Sequence, residues 1–209
     1  MKGQALTWMI GGVSLIICGV LSLVQFTFPG FALQAVASLT RTVLFAATMV
    51  ILSIGLSRDS SVVGRRPAGV IAMVVLGIWP IAQMTLYQNL ANTPREGDTA
   101  LMILGIATLV VPTVAAITAA IQVVLAKTVP PPWHRAPLWV VGVAIVLYFG
   151  PQVLVYAVGV ASTQALAGLV IGSATLAYLI VTAGLGAIAV ALALRAHSPT
   201  SPRHSPTAL

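Results

Sequence analysis

From Ala68 to Asn89 the chain reads AGVIAMVVLGIWPIAQMTLYQN, with no charged residue anywhere in it. It is long enough to cross the hydrocarbon core of a bilayer. Lipid offers no hydrogen-bond partners, so a single apolar stretch of this length satisfies its backbone by folding as a helix. Five more runs of the same kind flank it. The expected fold is therefore all-α: a polytopic membrane protein built as a six-transmembrane-helix bundle. The runs lie near residues 5–28, 33–56, 68–90, 99–126, 138–160 and 165–194, which makes residues 1–196 one transmembrane domain. Composition agrees, with a mean hydropathy of +1.06 and only 6% charged residues. A soluble domain carries about a quarter.

The first run follows Lys2. Ala35-Val36-Ala37 has the look of a signal cleavage site, but the run before it outlasts the roughly 7–15 apolar residues of a signal core. A retained helix is the expectation. Cys18 is the single cysteine, so no internal disulfide forms. Leu15-Ile16-Ile17-Cys18 lacks the small residue that precedes the cysteine of a lipoprotein box, and a packed thiol is preferred. Ser14, Cys18 and Ser22 share one face of the run. Gly168 and Gly172 form a small-residue pair in the sixth run, a spacing that allows close helix approach in lipid. The length of the sixth run points to tilt, or to a bend near Gly184 and Gly186.

Six crossings place both termini on one side. Lys2, Arg58, Arg65, Arg66, Lys127, Arg135, Arg195 and Arg203 fall on that side, while Arg95, Glu96 and Asp98 fall on the other. Positive residues collect in cytoplasmic loops, so the expected orientation is N-in and C-in within the cytoplasmic (plasma) membrane. The net charge of +7 is thus a topology signal, and nucleic acid is not expected as a partner. The excess of Arg over Lys, with abundant Ala, points to a GC-rich bacterial genome. Residues 197–209 contain three Ser-Pro pairs and read as a disordered cytoplasmic tail.

Polar groups inside the runs are the natural place to look for function. Arg41 lies well within the second run. It binds an anionic group, snorkels outward, or pairs with Glu96 or Asp98; the structural readings are preferred. The third and fifth runs carry similar sets: Trp79-Pro80 with Gln83 and Tyr87, and Gly150-Pro151-Gln152 with Tyr156. Proline removes a helix donor and frees a carbonyl one turn earlier, so both helices are expected to kink. Gln83 and Tyr87 are four apart, as are Gln152 and Tyr156, so each pair shares a face. Arg41, Gln83, Tyr87, Gln152 and Tyr156 are therefore the candidate ligand-binding residues; amides acting only as interhelical glue are the commoner case. Landmarks recur about every 70 residues, as with Pro67 and Pro137 or Arg65 and Arg135. Evenly sized hairpins drawn from a small apolar alphabet explain that spacing without a true repeat. Trp8, Trp133 and Trp139 read as interfacial anchors, and Trp79 as packing.

The absences are informative. No run has Asp or Glu in its interior, and His134, His197 and His204 all fall in loop or tail. A carboxylate proton relay, intramembrane His ligation of metal or haem, and a serine–histidine protease pair have no residues to build them. No catalytic residues, metal site or cofactor are expected. Two functions remain. The first is a non-catalytic subunit or accessory component of a membrane complex, whose partners are the lipid bilayer and other membrane proteins or further copies of itself. The alternative is a small-molecule binding or transport protein with a pocket between the third and fifth helices.

Overall fold

The computed structural model describes residues 2–27, 31–55, 61–91, 97–126, 129, 133–158 and 163–197. Among these the chain is helical, with no strand. The helices are α1 (Lys2–Thr27), α2 (Phe31–Ile54), α3 (Pro67–Ala91), α4 (Gly97–Ala126), α5 (Ala136–Val158), α6 (Thr163–Leu179) and α7 (Leu185–His197). A 3-10 turn, Trp133–Arg135, leads into α5. A π-helical turn, Ile180–Gly184, joins α6 to α7. Six helical segments are long and apolar enough to cross a membrane, with α6, the π turn and α7 forming the last. The Ser-Pro tail beyond His197 lies outside the described residues.

Local chemistry sets the helix ends. Pro67 opens α3 at the position where a missing N–H costs nothing. Gly55 closes α2 with φ 75°, two residues short of the boundary expected from hydropathy, and its N–H reaches Ile51 O at 2.8 Å. The following turn is folded down rather than solvated. Ser61 Oγ donates to Ser53 O and accepts from Arg65 N at 3.1 Å, and Val63 is fully buried. Gly64 and Arg65 both take positive φ there, and Arg65 Nε donates to Ile54 O at 3.3 Å. Within the spans, hydroxyls turn back on their own helices. Thr48, Thr108 and Thr182 donate to the carbonyls of Leu44, Leu104 and Tyr178 at 2.7–2.8 Å. Each of these hydroxyls is thereby satisfied without a partner helix.

The helices form a closed ring of neighbours. α1 packs on α2, α2 on α3, α3 on α4, α4 on α5 and α5 on α6, and α7 returns to α1. The α1–α7 contact is the tightest seam. A Cβ on Gly12 would stand 2.7 Å from Gly186 O, and one on Gly186 would stand 2.7 Å from Gly12 O. Only glycine at both positions lets the two backbones approach this closely. Near Gly184 and Gly186, where tilt or a bend is the expectation, a π turn ends at Gly184 and Gly186 forms the crossing with α1.

Packing is uneven round the ring. In the most apolar window of the first span 44% of residues are buried, against 6% in the fifth. Gly168 and Gly172, the pair singled out by spacing, face open space: a Cβ on either would meet nothing within 4 Å. Trp8 corrects an expectation: it is only 6% exposed and belongs to the core, with Leu15, Met49, Leu52, Met73 and Leu192. Helix α1 is surrounded by α2 and α7, so an aromatic near its end is covered by protein before it meets the interface. Trp139, by contrast, is 73% exposed.

Candidate functional site

Inside the ring two cavities lie end to end. The smaller, about 150 Å³, sits beside Trp8, Val129, Trp133 and Leu192 and has an almost wholly apolar lining. A space of that size and chemistry stays dry. The larger, about 390 Å³, is partly open to the outside of the bundle and is lined by α3, α4, α5, α6, the π turn and Phe45 of α2. It falls in the range of small-molecule pockets. Phe45, Leu76, Ala116, Val141 and Val181 line both cavities, one residue each from α2, α3, α4, α5 and the π turn. They form an apolar layer between the two spaces.

Two helices carry proline where they line the larger cavity. Pro80 of α3 and Pro112 of α4 both line it, as do Leu76 and Thr108, the residues four positions earlier. A proline has no N–H to offer the carbonyl one turn back, so the Leu76 and Thr108 carbonyls lose their helical donors. Trp79, Gln83, Thr113, Tyr148 and Tyr178, with the Thr108 hydroxyl, add polar side chains to the lining. Phe149 meets Tyr148 edge-on at 5.5 Å, and Phe45 meets Tyr178 at 6.3 Å. The indole N–H groups of Trp79 and Trp8 are enclosed and have no partner among the described residues. A buried donor left unmet costs about 1–3 kcal/mol.

The candidate residues separate under this geometry. Gln83 lines the larger cavity. Tyr87, one turn further on, is 37% exposed and does not line it. Gln152 donates to Tyr148 O at 3.2 Å, on its own helix. Tyr156 belongs to α5, and its side chain lies outside the described residues. The matched landmarks of the third and fifth runs thus occupy unlike environments. Arg41 stacks on Tyr178, with Cζ 5.0 Å from the ring centre, and its Nη1 lies 3.5 Å from Ser22 Oγ. Cys18 Sγ approaches Arg41 O at 3.7 Å, so the Ser14–Cys18–Ser22 face packs on α2. The side chains of Asp59, Glu96 and Asp98, the only acids in the chain, are outside the described residues, and so is the expected Arg41–carboxylate pair. Among the described residues no group of three potential metal ligands occurs.

The sequence reading gave the fourth helix but did not place it, or Tyr148, Phe149 and Tyr178, at the cavity. Pro112 carried the same signal as Pro80 and Pro151, a proline in the middle of an apolar run. Tyr178 carried none: an isolated tyrosine in an apolar helix becomes informative only when the ring of helices brings it against Arg41. No protein-family model, characterised protein or solved structure matches this chain.

Proposed function

We propose that this is a non-catalytic multi-pass membrane protein that binds a small, mainly apolar molecule in the larger cavity. The supporting observation is the cavity itself: about 390 Å³ between α3 and α6, edged by Trp79, Gln83 and Tyr148 where Pro80 and Pro112 interrupt the helix ladders. The reading also takes α3 and α5 as kinked at Pro80 and Pro151, and the chain as a bacterial plasma-membrane protein with both termini cytoplasmic. Native mass spectrometry of the protein in mild detergent tests the function. The expected result is a lone chain carrying an adduct of small-molecule mass. A bare chain bound stoichiometrically to another protein is the contrary result.

A second reading, a subunit of a larger membrane complex, is favoured by one observation. Gly105, Gly142, Gly150, Gly168 and Gly172 all have open space where a side chain would go. Glycine in a span that meets no neighbour among the described residues suits a close-packed partner helix. The two readings are compatible if the binding chain works as part of an assembly.

The orientation has its own test. A periplasm-active reporter fused within residues 92–96 should be active, and the same reporter within residues 57–60 should be silent. The reverse pattern would invert the topology.

A further inference from the structure

Arg41 lies about 14 Å along α2 from Ala32, where its span begins, at 1.5 Å per residue. That depth is below the headgroups and within hydrocarbon, where a bare cation is costly and is met by an anion or by water. Arginine has five N–H donors. Among the described residues one points at Ser22 Oγ, at the long distance of 3.5 Å, and the rest have no acceptor. Those donors are not sealed inside the protein, because among the described residues the enclosed side-chain polar atoms without a partner are the two indole nitrogens. Arg41 is thus half-buried, with donors left over among the described residues, at a depth where lipid tails satisfy none of them.

Tyr178 connects this charge to the cavity. Its ring lies under the Arg41 guanidinium at 5.0 Å and also lines the larger cavity, beside Phe45. One aromatic ring thus separates a fixed positive charge from about 390 Å³ of apolar space. We infer that the ligand is an amphiphilic monoanion. Its apolar body lies between α3 and α6, and its carboxylate extends past the Tyr178 ring to Arg41, which does not itself line the cavity. Guanidinium and carboxylate match in a forked, charge-assisted pair, which a neutral analogue cannot form. This inference rests on the cavity being a ligand site, and adds the charge of what it holds.

Trp79 in the cavity wall provides the readout. The protein is placed in phosphatidylcholine nanodiscs and titrated with a dibrominated long-chain carboxylic acid, then with the matching dibrominated alcohol at equal mole fraction. Bromine quenches nearby tryptophan fluorescence, and Trp79→Phe identifies the part of the signal that comes from the cavity. The expected result is half-saturation by the acid at a concentration about tenfold below that of the alcohol. Arg41→Gln should bring the two curves together, and Arg41→Lys should keep them apart. Equal curves in the unaltered protein would overturn the anion assignment while leaving the cavity as a ligand site. So would an acid preference that appears only after Glu96→Gln and Asp98→Asn, because the chain's own carboxylates would then occupy Arg41. Equal quenching from a brominated chain on phosphatidylglycerol would assign the anion to membrane lipid and overturn a free acid as ligand. Absence of any Trp79-dependent quenching would remove the cavity reading and this inference together.

Discussion

Two pairs of small residues that involve the last span behave in opposite ways. Gly186 meets Gly12 so closely that a methyl group on either would collide with the other's backbone, whereas Gly168 and Gly172 face open space. The first pair closes the ring of helices at the α1–α7 seam. The second lies on α6, beside the loosely packed side of the ring that contains the larger cavity. Small-residue spacing identifies helix faces that permit close approach. Whether the approach is made within the chain, by a partner, or not at all depends on how the ring closes. The molecule is thus a tight frame of α1, α2, α3 and α7 with an open quarter at α4, α5 and α6.

Several substitutions separate the frame from the open quarter. The largest effect is expected from Gly12→Leu or Gly186→Leu, which insert a branched side chain where backbones touch. Overpacking costs about 1–3 kcal/mol and more against backbone that cannot yield, so either variant should lose roughly 3 kcal/mol or more in thermal unfolding in detergent. A melting curve like that of the unaltered protein would show that the seam is not formed. Next comes Ala144→Phe, which fills the cavity from α5 and should abolish the small-molecule adduct while the protein stays folded.

Gln83→Leu should weaken ligand binding by about five- to tenfold, the worth of one hydrogen bond, with stability little changed. Gln152→Leu should leave binding unaltered, because its amide is engaged by Tyr148 O on its own helix. Equal effects of the two would restore the symmetry between the third and fifth runs that the structure breaks. The smallest effect is expected from Gly172→Leu, which should not change the unfolding of the lone chain. Should it destabilise the lone chain, the face on α6 is covered from within.

The architecture was legible because length and hydropathy alone decide it. Six long apolar runs in lipid have few ways to satisfy their backbones, and helix is the available one. The boundaries were less legible, because they are set by particular atoms. Gly55 ends α2 by adopting φ 75°, and the turn at Ser61–Arg66 is held by hydrogen bonds back to α2. Gln83 could be singled out because an amide in an apolar run is conspicuous. Pro112 could have been found by the same rule applied to the fourth run. Phe45, Tyr148, Phe149 and Ala144 could not, since apolar and aromatic residues are everywhere in a membrane span. Only the order of neighbours in the ring selects the few that face one space. Trp8 shows the converse error, for a position near a helix end says nothing about whether a neighbouring helix covers it.

The most direct measurement of the central claim compares native mass spectra of three proteins purified identically: the unaltered chain, Ala144→Phe and Gly172→Leu. A cavity in the open quarter predicts a small-molecule adduct on the first and third, and its loss from the second alone. An adduct that persists in Ala144→Phe, or a chain that never carries one, would contradict it.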